Sequence, residues 1–266
     1  MSSFEAATKF AFCLHEIHGF AVITLLPAVI YAKTTLVVSP ILSLIDDILA
    51  RYHNLSIPAG KFTGDVPKEV QTTQQLNIKQ YKIVFGTLEM LKDEEFNSTV
   101  MSMIEKNELE RIVFDEAHTI ISWGNTFHPI YRKVCEELAK TPCPKLLLSA
   151  TVPAKVEYEL KHVFNGLVVF RSSIFRGDLF LKVQERTSMF DNDLKSFILE
   201  RKDDSGIIYC VLPKDVSLIH ADLLKNGIDC VKYNGKLSEE VKSNSYSKWV
   251  KGECKVIVAN CTVLLR

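Results

Sequence analysis

Two adjacent carboxylates followed by a histidine are the residues of this chain best suited to chemistry. Residues 111–114 are Arg-Ile-Val-Phe, and Asp115, Glu116, Ala117 and His118 come next. The apolar, β-branched run predicts a buried parallel strand, and ligands of open α/β sheets bind just beyond the carboxyl ends of such strands. One carboxylate there can hold Mg²⁺ on a nucleotide, while its neighbour orients or deprotonates a water molecule. The structural alternative is a strand end whose acids are merely solvated.

Aromatic residues follow the histidine at short intervals. Trp123, Phe127 and Tyr131 lie within one segment, together with Gly124 and Pro129. Aromatic rings provide stacking surfaces for nucleic-acid bases. The segment therefore predicts a base-contacting loop beside the carboxylates, with packing of the rings into the core as the alternative.

Length and composition restrict the class of protein. The 266 residues suffice for one or two domains with a large core, and 47% are hydrophobic and 24% charged. The formal net charge of zero argues against a strongly basic nucleic-acid binder, although a local basic groove is compatible with it.

Seven cysteines without a Cys-x-x-Cys pair indicate reduced intracellular thiols. The most apolar window, residues 19–32, is shorter than the roughly 20 residues that span a bilayer, so we expect core and no membrane association.

Strand and helix patterns alternate along the chain. An amphipathic helix is predicted over residues 4–17, and buried strands are predicted over residues 35–38, 82–85, 111–114 and 145–149. The pattern lapses near residues 172–178 and then resumes, with strands predicted over residues 206–211, 230–233 and 256–259. Helical patterns separate these strands, which predicts mostly parallel sheets with flanking helices in two domains, residues 1–175 and residues 180–266.

The stretch from Asp115 to Tyr131 resembles the RecQ family of DNA helicases. That family carries Asp-Glu-Ala-His followed by a Trp-Gly…Phe-x-Pro…Tyr loop, and Trp123 and Phe127 are in register with it. The resemblance implies a RecA-like, P-loop NTPase type sheet with flanking helices in residues 1–175. It also implies an incomplete second RecA-like domain in residues 180–266.

Three further segments resemble motifs of the same family. Residues 36–44 contain Ser39 and Pro40 and resemble a motif that gives hydrogen bonds to DNA phosphates. Residues 83–91 contain Thr87 and resemble a Thr-Pro-Glu motif in which Leu88 replaces the proline. Residues 148–152, Leu-Ser-Ala-Thr-Val, resemble the motif that couples hydrolysis to strand movement, with Ser149 and Thr151 near His118. Capping of the following helix is the structural alternative for Thr151.

The resemblance implies an ATP-dependent DNA helicase that moves 3′ to 5′. ATP and Mg²⁺ would be the cofactors and single-stranded or forked DNA the partner, in the nucleus if the source is a eukaryote. Asp115 would hold Mg²⁺, Glu116 would activate water, and His118, Ser149 and Thr151 would relay the nucleotide state. Ser39, Thr87, Trp123 and Phe127 would contact DNA.

Two features of the family pattern are missing. A phosphate-cradling loop, Gly-x-x-x-x-Gly-Lys-Ser/Thr, is expected before the strand at residue 36, but Gly19 is the one glycine in that region. Since Leu26-Pro27-Ala28 matches a sequence that follows the loop in the family, the loop is expected to be deleted between residues 16 and 25. The family's last two motifs, with their arginine finger, are also absent from residues 256–266.

Two alternatives to the active DNA helicase follow. The first is an inactive or truncated helicase-like remnant that binds nucleic acid without hydrolysing ATP. The second is an RNA helicase of the Asp-Glu-Ala-Asp kind, against which His118 and the loop at Trp123 argue.

Overall fold

The computed structural model describes residues 9–13, 17–126, 129–171, 177, 179–185 and 189–260. The chain divides into two units, Met1–Arg176 and Gly177–Arg266. Each unit contains its own parallel sheet. In the part of the chain that is described, none of the helices combines the length and the apolar character needed to cross a membrane.

Seven strands form the sheet of the first unit. Their order is β3-β4-β2-β5-β6-β1-β7, and every neighbouring pair is parallel. The strands are β1 (Lys9–Cys13), β2 (Thr34–Val38), β3 (Ala59–Phe62), β4 (Ile83–Gly86), β5 (Leu109–Phe114), β6 (Lys145–Ser149) and β7 (Val168–Arg171).

Helices cover both faces of this sheet. They are α1 (Ile17–Ile30), α2 (Leu42–Asn54), α3 (Lys68–Leu76), α4 (Glu94–Glu105), α5 (His118–Thr126), α6 (Pro129–Lys140) and α7 (Ala154–Val163), with short 3-10 turns at Ile78–Gln80 and Met90–Lys92. Successive residues of a strand point to opposite faces. Ile112 and Phe114 of β5 therefore join the core under α4 to α7, while Val113 joins the core under α1 and α2.

Three parallel strands form the sheet of the second unit, in the order β8-β10-β9. Its elements are α8 (Phe190–Glu200), β8 (Gly206–Cys210), α9 (Pro213–Lys225), β9 (Cys230–Tyr233), α10 (Glu239–Val250) and β10 (Val256–Asn260). Val216 and Leu223 of α9 pack on one face with Val258, and Trp249 of α10 packs against Ile257 on the other.

The predicted α/β class is confirmed, because parallel strands alternate with helices through both units. The amphipathic helix predicted over residues 4–17 is wrong. Residues Lys9–Cys13 form β1, which lies between β6 and β7, and the rest of residues 4–16 lies outside the described chain. The alternation Phe10-Ala-Phe12 fits a strand as well as a helix, and pairing on both sides decides between them.

The apolar window at residues 19–32 is only partly core. It lies mostly within α1, where Ala28 is fully buried but Leu26, Val29 and Ile30 are about half exposed. Residues 17–25 are likewise continuous helix. The segment in which the loop is expected to be deleted, residues 16–25, therefore falls largely within α1, and residues 14–16 lie outside the described chain.

Candidate active site

The turn at residues 115–117 is fixed at the carboxyl end of β5 by its two neighbouring strands. The Asp115 N–H donates to the carbonyl of Val38 at the end of β2, at 2.8 Å. The Ala117 N–H donates to the carbonyl of Leu148 in β6, at 2.9 Å. Because β5 is held between β2 and β6, the two carboxylates emerge at the centre of the sheet edge, where α/β proteins bind their ligands.

The carboxylate of Asp115 accepts two hydrogen bonds. The Ser39 hydroxyl donates to Oδ2 at 2.8 Å, and the Glu116 N–H donates to Oδ1 at 2.9 Å. Burial raises the pKa of Asp115 to about 6; the charge of Glu116 adds to this, while the hydrogen bond from Ser39 opposes it. Sequence reasoning assigned Ser39 to DNA and missed this pair. The sequence does show that both residues follow predicted strands. It does not show that β2 and β5 are neighbours in the sheet, which is what brings the two residues together.

Glu116 has a backbone conformation that side chains rarely adopt. Its φ is 46°, in the left-handed region, although it is not a glycine. Its carbonyl accepts both the N–H and the hydroxyl of Thr119 at 2.8 Å, which holds the turn in place at the start of α5. Strained residues persist where the surroundings fix them, and they cluster at functional sites.

His118 connects Glu116 to the end of β6. Its Nδ1 lies 3.2 Å from Oε2 of Glu116 and 2.9 Å from Oγ of Ser149. The Ser149 hydroxyl donates to the carbonyl of Thr151 at 3.1 Å. Since the hydroxyl hydrogen of Ser149 is used there, Nδ1 of His118 carries the hydrogen that Ser149 and Glu116 accept.

Thr151 contributes to this chain of hydrogen bonds through its backbone. Its side chain is exposed. The capping role that was the structural alternative is not observed, because Pro153 is the residue at the N-cap of α7 and no side-chain cap is formed. The chain of contacts from Glu116 through His118 and Ser149 therefore ends on the carbonyl of Thr151.

The site fits a metal ion that arrives with a nucleotide better than a resident metal ion. Within the described residues, no group of three or more His, Cys, Asp or Glu side chains is arranged to hold a metal. Mg²⁺ commonly uses one or two carboxylates together with substrate phosphates and water. Asp115 could supply such a ligand, with Glu116 beside it.

The residues predicted to contact DNA fall into two groups. Ser39 and Thr87 follow the neighbouring strands β2 and β4, but both are buried, at 2% and 5% exposure. The Thr87 hydroxyl accepts the Met90 N–H at 3.4 Å. A phosphate contact by the Ser39 hydroxyl would need the loss of its hydrogen bond to Asp115, whereas the Thr87 hydroxyl can accept from Met90 and still donate its own hydrogen. The backbone of Trp123 lies in α5, whereas its side chain and all of Phe127 lie outside what the structure describes.

No phosphate cradle is encoded between β1 and α1. Residues 14–21 are Leu-His-Glu-Ile-His-Gly-Phe-Ala, with one glycine and no lysine. Helix α1 starts at Ile17, so Gly19 is inside the helix. Lys33 cannot substitute, because it precedes β2 and therefore lies at the amino edge of the sheet.

Comparison with known proteins agrees with this arrangement. The family model described as DEAD/DEAH box helicase matches residues 19–159, more than half of the chain. An "ATP-dependent DNA helicase Q-like 2" from Arabidopsis thaliana is 32% identical over 248 residues, covering 88% of this chain and 35% of that protein. The "RecQ-like DNA helicase BLM" of Xenopus laevis is 28% identical over 259 residues, covering 88% of this chain and 18% of that protein.

The fold is shared with solved helicases. The crystal structure of the DUF1998 helicase MrfA bound to DNA and AMPPNP matches with a TM-score of 0.73 at 15% identity, covering 97% of this chain and 40% of that chain. The predicted RecA-like fold is thereby confirmed. This chain spans about a third or less of the length of the two curated relatives. It belongs to the DEAD/DEAH box helicase family, in its RecQ branch.

Proposed function

We propose that this chain carries the core of an ATP-dependent DNA helicase that translocates 3′ to 5′ on single-stranded or forked DNA. The RecQ-type relatives, which are named as DNA helicases, support this assignment. The observation that carries it is the assembled group of Asp115, Glu116, His118 and Ser149 at the carboxyl edge of the sheet.

In this proposal Asp115 would hold the Mg²⁺ that arrives with ATP, which would neutralise phosphate charge, and Glu116 would orient the attacking water. The charge on Glu116 is sensed by Nδ1 of His118, 3.2 Å away, and passed to Ser149 at 2.9 Å. Because Ser149 is bonded to the carbonyl of Thr151 in the loop before α7, loss of the γ-phosphate can be transmitted to that loop. The first unit would serve as the nucleotide-binding domain and the second as its RecA-like partner.

We further propose that the 266-residue chain itself hydrolyses ATP very slowly. Phosphoryl transfer is catalysed almost wholly by positioning and charge stabilisation. Residues 14–21 provide neither the glycines whose N–H groups surround phosphates nor the lysine that neutralises them. Without that cradle, two neighbouring carboxylates face an anionic substrate, which weakens binding. Nucleic-acid binding without turnover is the activity that remains.

The test is DNA-stimulated phosphate release by the purified chain, with Glu116→Gln as the matched control. We expect both proteins to give the same background rate. A turnover near one per second (roughly the lower limit of typical enzymes) that disappears in Glu116→Gln would show that the chain is an active ATPase and that the missing cradle is replaced by other residues.

Binding to single-stranded DNA tests the aromatic segment after His118. Stacking on an aromatic side chain is worth about 1–3 kcal/mol per base. Trp123→Ala should therefore lower the affinity for a fluorescent oligothymidine about tenfold in low salt, as measured by anisotropy. Tyr158→Ala is the matched control, since this aromatic residue is 65% exposed on α7. Equal losses in the two variants would exclude a specific stacking role for Trp123.

A further inference from the structure

A row of basic residues lines the amino edge of the seven-stranded sheet, opposite the candidate active site. All seven strands are parallel, so their amino ends meet at this one edge. Arg111 of β5 is level with Thr35 of β2, and Lys9 of β1 is level with Lys145 of β6. Neighbouring strands are about 4.8 Å apart, so five consecutive strands spread the row over about 19 Å. In the order β4-β2-β5-β6-β1, the row consists of Lys82, Lys33, Arg111, Lys145 and Lys9. Lys145 is 1% exposed and donates to Thr141, so the other four are the cations that a ligand could reach.

Three lysines of this row have only neutral hydrogen-bond partners in the described part of the chain. Each donates from Nζ to an uncharged oxygen: Lys82 to the carbonyl of Tyr31 at 3.0 Å, Lys33 to Oδ1 of Asn107 at 2.8 Å, and Lys9 to the carbonyl of Asn165 at 3.0 Å. Within that part of the chain, no ion pair compensates their positive charges.

Two acids near this edge are already engaged. Glu108 is paired with Lys79 at 2.7 Å, and Glu110 lies 3.5 Å from Arg111. The cations are also close together. Burial raises the pKa of the Cys143 thiol to about 11, and Glu110 adds to the rise, while Lys145, Lys33 and Arg111 act on it in the opposite direction. The edge consequently keeps an excess of positive charge in a chain whose net charge is zero.

An exposed aromatic residue lies inside the row. Tyr31 follows α1 and is 49% exposed. The guanidinium of Arg111 lies 5.7 Å from the centre of its ring, and Lys82 is bonded to its carbonyl. The Nε of Arg111 is buried, and no described residue accepts a hydrogen bond from it. Cations that surround an accessible aromatic ring are typical of surfaces that bind single-stranded nucleic acid, where phosphates meet the cations and a base stacks on the ring.

We propose that the amino edge of the first unit is a second nucleic-acid-binding surface, specific for single strands. Lys9, Lys33 and Lys82 contact phosphates, and Tyr31 stacks against a base. This surface goes beyond the proposed function, because its residues are separate from Asp115, Glu116 and the segment after His118. A strand bound there would run along the edge of the sheet that faces away from the nucleotide.

The test compares two double variants of the 266-residue chain with the same loss of charge. Lys33→Gln/Lys82→Gln removes two cations of the row, and Lys133→Gln/Lys155→Gln removes two from α6 and α7. Affinity for a short fluorescent oligothymidine is measured by anisotropy across a salt titration. We expect about tenfold weaker binding for the first variant and a shallower dependence of log K on log salt, by about 1.4 for two phosphate contacts. The control should bind like the unchanged chain.

Tyr31→Ala and direct cross-linking locate the base. Tyr31→Ala should weaken binding about tenfold without altering the salt dependence, since stacking releases no counterions. A bromodeoxyuridine-substituted oligonucleotide that is irradiated while bound to the unchanged chain should cross-link to the peptide that contains Tyr31.

Equal affinities of the two double variants, or an unchanged affinity of Tyr31→Ala, would overturn the proposal. Competition by polyglutamate as effective as that of an oligonucleotide of equal charge would also overturn it, because the surface would then favour an acidic polypeptide. The variants are compared in a Trp123→Ala background, so that the segment after His118 does not dominate the affinity, and the proposed function is tested separately by ATP hydrolysis and by Trp123→Ala alone.

Discussion

Among the individual residues, Asp115 lowers the free energy of unfolding by an electrostatic contribution that depends on pH. Its pKa is raised to about 6, chiefly by burial, with Glu116 adding to the rise and Ser39 opposing it. An ordinary aspartate titrates near pH 4. Between about pH 4 and pH 6 the folded chain keeps a proton that the unfolded chain has released. Stability therefore falls as the pH rises through this window, and the full cost is present above it.

Asp115→Asn should remove this cost while preserving the hydrogen bonds. The amide oxygen can accept the Glu116 N–H, and the amide group can donate to Ser39. In metal-free buffer we expect the free energy of unfolding at neutral pH to rise by about 1–2 kcal/mol, and the gain to disappear towards pH 4. Urea unfolding at a series of pH values measures this. The control, Asp203→Asn at an exposed position, should follow the unchanged chain. A gain for Asp115→Asn that is the same at every pH would contradict the assignment.

The sequence predicts those residues of the site that are close together along the chain better than those that are far apart. Asp115, Glu116 and His118 are adjacent, so their strand-end position follows from the apolar run before them. Ser149 was identified by the family resemblance and not by hydrophobic periodicity. The structure shows its hydrogen bond to His118. The pairing of Ser39 with Asp115 spans 76 residues. It depends on the order of strands in the sheet, which packing decides.

At the level of elements, the strands at the centre of the first unit's sheet are predicted well and those near its edges poorly. The apolar runs of β2, β4, β5 and β6 predict strands, and these four form the centre of the sheet. β3 and β7 were not predicted. β3 is Ala-Gly-Lys-Phe, with little apolar bulk, and β7 is an edge strand whose Val168 and Phe170 are nearly half exposed. Their strand conformation comes from pairing with a neighbour and not from their own composition.

The packing of the edge strand β3 against Tyr81 can be tested by substitution. A Cβ at Gly60 would lie 3.0 Å from Cδ2 of Tyr81, whereas a Cβ at Gly64 has no atom within 4 Å. Gly60→Ala should therefore displace Tyr81 and lower the free energy of unfolding by about 1–2 kcal/mol. Gly64→Ala, just beyond the strand, is the matched control and should have little effect. Equal urea midpoints for the two variants would show that the contact between β3 and Tyr81 is looser than the structure indicates.

For the whole molecule, the two units differ in how completely they bury their apolar residues. The core of the first unit is built on seven strands with helices on both faces. The second has three strands, and it leaves Tyr209 56% exposed on β8 and Phe180 90% exposed. The fraction of surface buried on folding rises with size, so the second unit should be the less stable one.

Matched core substitutions test whether the units unfold separately. Leu36 in the first unit and Leu223 in the second are both 1% exposed, and Leu→Ala at such positions costs about 2–5 kcal/mol. Each unit contains one tryptophan, Trp123 or Trp249, so Trp→Phe at one position leaves fluorescence that reports on the other unit. We expect Leu223→Ala to lower the urea midpoint seen by Trp249 and to leave that of Trp123 unchanged, with the reverse for Leu36→Ala. If either substitution shifted both midpoints equally, the chain would unfold as one cooperative body. The candidate active site, which lies wholly in the first unit, would then depend on the integrity of the second.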